Sequence, residues 1–163
     1  SDINDPVQLA VAIKFIDELV QLGVQVPASD LKAVGPLFCV EKLLQPGQRR
    51  CISNMKEGGH NRCMGKDPVH LQRSGDILPH MFPGGWSAVA DASKHFHNFP
   101  THPSERQYLG CIHPSTGKHY CYVGLPMGSA KSPAFAKKMG AAFVWLLLMY
   151  HPDIFSGSVV SNT

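Results

Sequence analysis

Leu125-Pro126-Met127-Gly128-Ser129-Ala130-Lys131-Ser132-Pro133-Ala134-Phe135 is the stretch on which the fold of this chain turns. It runs from one proline through a turn of small residues to a second proline placed to open a helix. Proline fixes φ, and its missing N–H costs nothing in a first helical turn. Gly128 lacks the Cβ that would hold neighbouring backbone away. The segment is therefore shaped for close approach to something flat or extended. Upstream, Val89-Ala90-Asp91-Ala92-Ser93-Lys94-His95-Phe96 sets a carboxylate, Asp91, at the end of an apolar run. Carboxylate oxygens so placed suit a hard divalent cation.

Outward from these motifs the periodicity supplies the frame. Pro133 opens a helix expected from Ser132 to about Tyr150. At the other end, Leu9, Ile13, Ile16 and Val20 recur at helical spacing, and Ala12, Phe15, Leu19 and Leu22 widen the stripe. Asp5 is its expected N-cap and Gly23 its stop. Residues 24–35 read as loop. Short strands are expected at 36–40 and 50–55, joined by a turn at 43–48 in which Pro46-Gly47 supplies one fixed and one permissive φ. Residues 57–70 read as loop and 71–81 as a region with a short helix. A strand at 86–90 then leads to Asp91. Two more strands, 106–113 and 119–123, flank the turn Pro114-Ser115-Thr116-Gly117, and 151–163 form a polar tail. There is no internal repeat or linker.

A hydrophobic fraction of 44% and a charged fraction of 17% exclude a disordered tail. The net charge of +3 permits a nucleic-acid partner without demanding one. Cysteines at 39, 51, 63, 111 and 121 include no C-x-x-C pair, so they read as reduced thiols of an intracellular protein, cytoplasmic or nuclear. The sets Cys51, His60, Cys63, His70 and Cys111, His113, His119, Cys121 lack the paired short spacings of structural zinc sites. No signal peptide opens the sequence, and the apolar run from Ala141 to Tyr150 is too short to span a bilayer, so no membrane partner is expected.

From about Ile16 to Tyr150 the chain resembles the reverse transcriptases of retroviruses and of long-terminal-repeat or related retrotransposons. Ile16-Asp17-Glu18-Leu19-Val20-Gln21-Leu22-Gly23-Val24 looks like the helix before the fingers. Pro36-Leu37-Phe38-Cys39-Val40-Glu41-Lys42 and Arg50-Cys51-Ile52-Ser53-Asn54-Met55-Lys56 look like the two arms of the fingers hairpin, with Asn54 where the family usually has Asp and Lys56 where it usually has Arg. Asp91-Ala92-Ser93-Lys94-His95-Phe96-His97-Asn98-Phe99 is similar to the family's "D-L-x-x-x-Y/F-H-Q-I" segment. Leu125-Pro126-x-Gly128 with Ser132-Pro133 is similar to its "L-P-x-G-x-x-x-S-P" segment.

The resemblance implies an α+β fold: fingers plus an incomplete palm of a right-hand polymerase, an antiparallel sheet with packed helices. Residues 1–163 would form one partial reverse transcriptase domain, with an N-terminal helix and loop over 1–35, fingers over 36–85, partial palm over 86–150 and a tail over 151–163. It implies in-line nucleotidyl transfer clamped by two Mg²⁺ ions. Asp91 would supply a carboxylate to the metal and the Ala92 carbonyl a further oxygen. Lys42 and Arg50 would reach the triphosphate, one as a point charge and the other as a planar fork. The N–H groups of Lys94 and His95 would meet the same phosphates. Phe96 would stand under the sugar and refuse a ribose 2′-OH, and Met127 and Gly128 would pack on the incoming nucleotide and template. Met127 stands where relatives often carry Gln or Phe. Template-primer, whether RNA or DNA, and deoxynucleoside triphosphates would be the partners, with the remaining palm and thumb or another protein.

Each of these residues has a plainer alternative. Asp91 could be a helix cap or turn residue, Lys42 and Arg50 solvated hairpin charges, and Phe96 ordinary core. His95, His97 and Asn98 read as local hydrogen-bonding groups. No Asp-Asp pair, the family's third motif, occurs in the chain, and one carboxylate cannot assemble a two-metal site. The stretch is therefore expected to be inactive alone. Its alternatives are a non-catalytic, retroelement-derived structural or assembly component, and a nucleic-acid-binding remnant.

Overall fold

Asp5 starts the first helix, α1 (Pro6–Gln21), by accepting the Val7 N–H on its carboxylate at 3.0 Å. Pro6 follows in the first turn, where no donor is needed. Leu22 caps the other end and Gly23 leaves the helix at φ 67°. The computed structural model describes residues 3, 5–63, 68, 69, 75, 83, 84 and 94–152. Apart from residue 75, the helix expected within 71–81 lies outside the described residues, as do the strand expected at 86–90, Asp91 and Ala92.

The chain divides into two units, residues 1–66 with 94–132 and residues 67–93 with 133–163. In the first, β1 (Gln25–Pro27), β5 (His119–Tyr122) and β4 (Gly110–Ile112) form an antiparallel sheet with β5 in the centre. β2 (Leu37–Lys42) and β3 (Gln45–Ser53) form a separate antiparallel hairpin. A short helix, α2 (His60–Cys63), follows the hairpin, and 3-10 turns span His95–Asn98 and Pro103–Tyr108. α1 lays Ala12, Ile16 and Leu19 into a core that also holds Leu37, Cys51, Met55, Leu109, Cys111 and Tyr122. In the second unit the helix α3 (Ser132–Tyr150) begins where Pro133 predicts.

Several expectations are corrected. Residues 24–35 are not all loop, because Gln25, Val26 and Pro27 pair with Tyr122, Cys121 and Tyr120. Three residues carry too little pattern to be read as a strand until the partner edge supplies their hydrogen bonds. The hairpin turns at Leu43-Leu44 rather than at Pro46-Gly47. Lys42 pairs with Gln45 and Glu41 with Arg49, so Pro46, Gly47 and Gln48 bulge out of β3. Gly47 uses its permissive φ, 81°, inside that bulge, and its N–H meets the Glu41 carboxylate at 2.8 Å. The strand expected from residue 106 starts only at Gly110, because Pro103 and the His102 ring cap a 3-10 helix through Tyr108. The loop expected over 57–70 contains α2. Leu22, read as part of the apolar stripe, is 54% exposed at the cap of α1.

Candidate functional site

Tyr122 is the point from which the site is built. Its hydroxyl and Ser53 Oγ of β3 lie 2.6 Å apart in the buried interior, which joins the three-stranded sheet to the hairpin. Burial raises the phenol far above its ordinary value, so Tyr122 stays neutral and serves as a fixed hydrogen-bonding post. The His97 ring stacks on it, with centroids 6.0 Å apart and an interplanar angle of 15°. His97 Nδ1 lies 3.0 Å from the Leu125 carbonyl, which can only accept, so the proton sits on Nδ1. Burial lowers the His97 pKa, against the opposing effect of that hydrogen bond.

The Leu125–Ser132 segment is held from both sides. Leu125 N–H donates to the Phe99 carbonyl at 2.8 Å, and Pro100 bridges to Gly124. A Cβ on Gly124 would stand 2.3 Å from the His97 carbonyl oxygen. Pro126 is fully buried, and its carbonyl accepts from Ser132 Oγ at 2.9 Å, which closes the turn into α3. Gly128 has φ 105°, and a Cβ there would meet the Ser53 carbonyl oxygen at 2.3 Å. The close approach that the sequence predicts at Gly128 is thus made, in this structure, to the chain's own β3.

Asn61, at the second position of α2, is the residue that sequence reasoning missed. Its amide donates to the Gly128 carbonyl at 3.0 Å and accepts the Ala130 N–H at 2.9 Å. One planar side chain therefore fixes both faces of the turn at Ser129. The signal was weak, because an Asn among glycines and histidines has no period to reveal its partner. His60, its neighbour, is buried, and that burial lowers its pKa.

The hairpin separates its basic residues by task. Arg49 Nη1 pairs with the N-cap carboxylate of Asp5 at 2.6 Å, ties β3 to α1 and lowers the Asp5 pKa. Arg50, one residue on and opposite Val40, is exposed. Lys42 Nζ is held by two neutral oxygens, Gln45 Oε1 and Gln48 Oε1, each at 3.2 Å, which steady the ammonium without cancelling its charge. Asn54 makes a local turn with Glu57: its amide donates to the Glu57 carboxylate at 2.9 Å and accepts the Glu57 N–H at 3.1 Å.

Lys94 stands at φ 53° before the 3-10 turn, with its ammonium paired to Glu18 of α1. His95 packs edge-on against Phe99, with centroids 5.1 Å apart, and contacts Phe96 at 5.9 Å. Phe96 and Met127 are half-buried and Gly128 is exposed. The described residues thus bring His97, Tyr122, Ser53, Asn61 and the 125–132 segment together, with Lys42 and Arg50 along the hairpin that carries Ser53. Among the described residues no three His, Cys, Asp or Glu side chains converge as a metal site would require. No helix among them is long and apolar enough to cross a membrane.

No family model matches the sequence, and no curated protein matches it. Solved structures do. A foamy viral protease-reverse transcriptase in complex with double-stranded DNA is 22% identical, over 97% of this chain and 25% of that one, with a TM-score of 0.74. The native prototype foamy virus protease-reverse transcriptase is 25% identical over 89% of this chain and 18% of that one, with a TM-score of 0.64. A mutant of that enzyme gives 25% identity over 85% and 18%, with a TM-score of 0.65. The chain spans a quarter or less of the length of these three chains. Its antiparallel hairpin and sheet, the helices beside them and the proline-framed turn have a retroviral reverse transcriptase-like fold.

Proposed function

We propose that residues 1–163 are the fingers and part of the palm of an RNA-directed DNA polymerase, and that this stretch does not transfer nucleotides by itself. The observation that carries the proposal is the likeness of nearly the whole chain to a reverse transcriptase whose structure contains double-stranded DNA. The hairpin supports it independently. Arg49 is committed to Asp5, whereas Lys42 and Arg50 keep uncancelled positive charge along one hairpin.

In this proposal Lys42 and Arg50 hold the triphosphate of a deoxynucleotide, and the backbone N–H groups of Lys94 and His95 bind the same phosphates. Phe96 stands under the sugar and excludes the ribose 2′-OH. Met127 and Gly128 line the nucleotide and template side of the Pro126 turn. Asp91 and the Ala92 carbonyl would be oxygen ligands for Mg²⁺, which when bound would stabilise the charge developing in phosphoryl transfer; both residues lie outside the described part of the chain. With a single such carboxylate, residues 1–163 contribute binding and orientation.

The test is binding of a fluorescent deoxynucleoside triphosphate by fluorescence anisotropy over a salt series. The expected result is binding that weakens as salt rises, with Lys42→Ala and Arg50→Ala each weakening it further. Primer extension with Mg²⁺ and deoxynucleotides should be absent from purified residues 1–163. Salt-independent binding, or binding indifferent to both substitutions, would overturn the assignment of the hairpin. Templated extension would overturn the assignment of inactivity. A second reading, as a non-catalytic assembly component, is favoured by one observation: the apolar residues that α3 leaves exposed.

A further inference from the structure

The β2–β3 hairpin carries a chemical pair that the polymerase reading does not use. Cys39 stands directly opposite Cys51 in the register of the two strands. The Asn54 N–H donates to the Pro36 carbonyl at 2.7 Å, which marks that position as a hydrogen-bonded one. Antiparallel pairs alternate, so Leu37/Ser53, Cys39/Cys51 and Glu41/Arg49 occupy the non-hydrogen-bonded positions. At such positions the Cα atoms stand roughly 4.5 Å apart and the side chains lean together on one face, within the ~4.4–6.8 Å span that a disulfide bridges.

The other cysteines lack this placement. Cys111 is opposite Tyr120, Cys121 is opposite Gly110, and Cys63 is exposed at the end of α2. All five are free thiols. The two sulfurs of the pair differ in access. Cys51 is 2% exposed, and burial first, then the neighbouring Cys39 sulfur, holds it protonated far above the ordinary thiol range. Cys39 is half-buried, and its S–H points to the Gln8 carbonyl of α1 at 3.6 Å.

We propose that Cys39 and Cys51 are a redox pair that a low-molecular-weight disulfide, such as oxidised glutathione, converts to a cross-strand disulfide. The Cys39 thiolate attacks one sulfur of the oxidant, forms a mixed disulfide and releases one thiolate. The Cys51 sulfur, on losing its proton, attacks Cys39 Sγ and expels the second thiolate. In sum, two protein thiols give up two protons and two electrons, and the oxidant becomes two thiols. The bond staples the arms of the hairpin and removes the Cys39 hydrogen bond to Gln8. It therefore stiffens the hairpin internally while loosening one of its ties to α1. None of this depends on the polymerase reading.

The experiment treats the folded chain with oxidised glutathione, alkylates the remaining thiols and maps peptides by mass spectrometry. The expected result is a Cys39–Cys51 linked peptide that dithiothreitol reverses, with Cys63 glutathionylated as a sign that the oxidant is active. Cys51→Ser should accumulate the glutathione adduct on Cys39, and Cys39→Ser should carry no adduct at Cys51. Should Cys51→Ser fail to fold, Cys51→Ala replaces it, and the map of the unsubstituted chain tests the pairing with no substitution at all. Cys39 and Cys51 both remaining alkylatable, a link between Cys111 and Cys121 instead, or first attack at Cys51 would each overturn the proposal.

Discussion

Gly128 concentrates two separate demands at one residue. Its φ of 105° is a conformation that a Cβ-bearing residue adopts only with strain, and the Ser53 carbonyl occupies the place such a Cβ would take. Gly128→Ala is therefore expected to lower stability by at least about 2 kcal/mol, read as a shifted denaturation midpoint at unchanged slope. An alanine variant of wild-type stability would contradict this backbone geometry. Asn61 offers a finer probe, because its amide both donates to Gly128 and accepts from Ala130. Asn61→Ala should cost about 1–2 kcal/mol and expose the Ala130 amide to hydrogen exchange. Asn61→Asp keeps the acceptor and should leave Ala130 the better protected of the two variants. Equal exchange in both would show that the side chain does not hold the turn. Gly128 was legible in the sequence because glycine between two prolines has a stereochemical meaning of its own. Asn61 was not, since its partners lie 67 and 69 residues away.

Among the elements, helix ends proved the most readable and the hairpin turn the least. Asp5, Pro6 and Gly23 bound α1 through capping chemistry that acts within a few residues. Leu43-Leu44 carries no turn signal, and Pro46-Gly47 carries a strong one, yet cross-strand pairing places the reversal at the leucines. Three titratable groups set a pH response. The Asp5 carboxyl is held below its ordinary 3.8, first by the Arg49 hydrogen bond, so its contribution is present above that value and is lost as pH falls through the depressed one. His60 and His97 are held below 6.5 by burial. Between the ordinary and the lowered value the unfolded chain binds more protons than the folded one, so stability falls as pH drops below about 6.5. Urea denaturation at stepped pH should show this loss, and His97→Gln should reduce it. A curve flat from neutral pH down to the carboxylate range would contradict the assignment.

For the molecule as a whole, the second unit presents the clearest consequence. Phe135, Met139, Phe143, Leu146 and Tyr150 recur at helical spacing on α3, and Phe143 is 61% and Tyr150 75% exposed. An apolar stripe of this kind left in water favours association. Purified residues 1–163 are therefore expected to self-associate in sedimentation velocity at micromolar concentration. Phe143→Glu with Leu146→Lys should shift the population toward monomer without lowering stability. A monodisperse unsubstituted chain at those concentrations would count against an interface on α3. The helix from Ser132 to about Tyr150 was legible in the sequence, but the exposure of its apolar residues was not, because local pattern does not show what covers a face.

Capping residues, proline placement, helical period and the glycine of the Pro126 turn act over a few residues, and the sequence by itself determined them. The order of its motifs likewise anticipated the reverse transcriptase-like fold. Only the tertiary structure decided that Gln25–Pro27 is a strand, that Leu43-Leu44 makes the hairpin turn, that Arg49 rather than Arg50 is bound to Asp5, and that Asn61 secures Gly128. Each of those outcomes depends on a hydrogen-bonding or ionic partner elsewhere in the fold. A polar side chain or a short strand has no preferred state until that partner arrives.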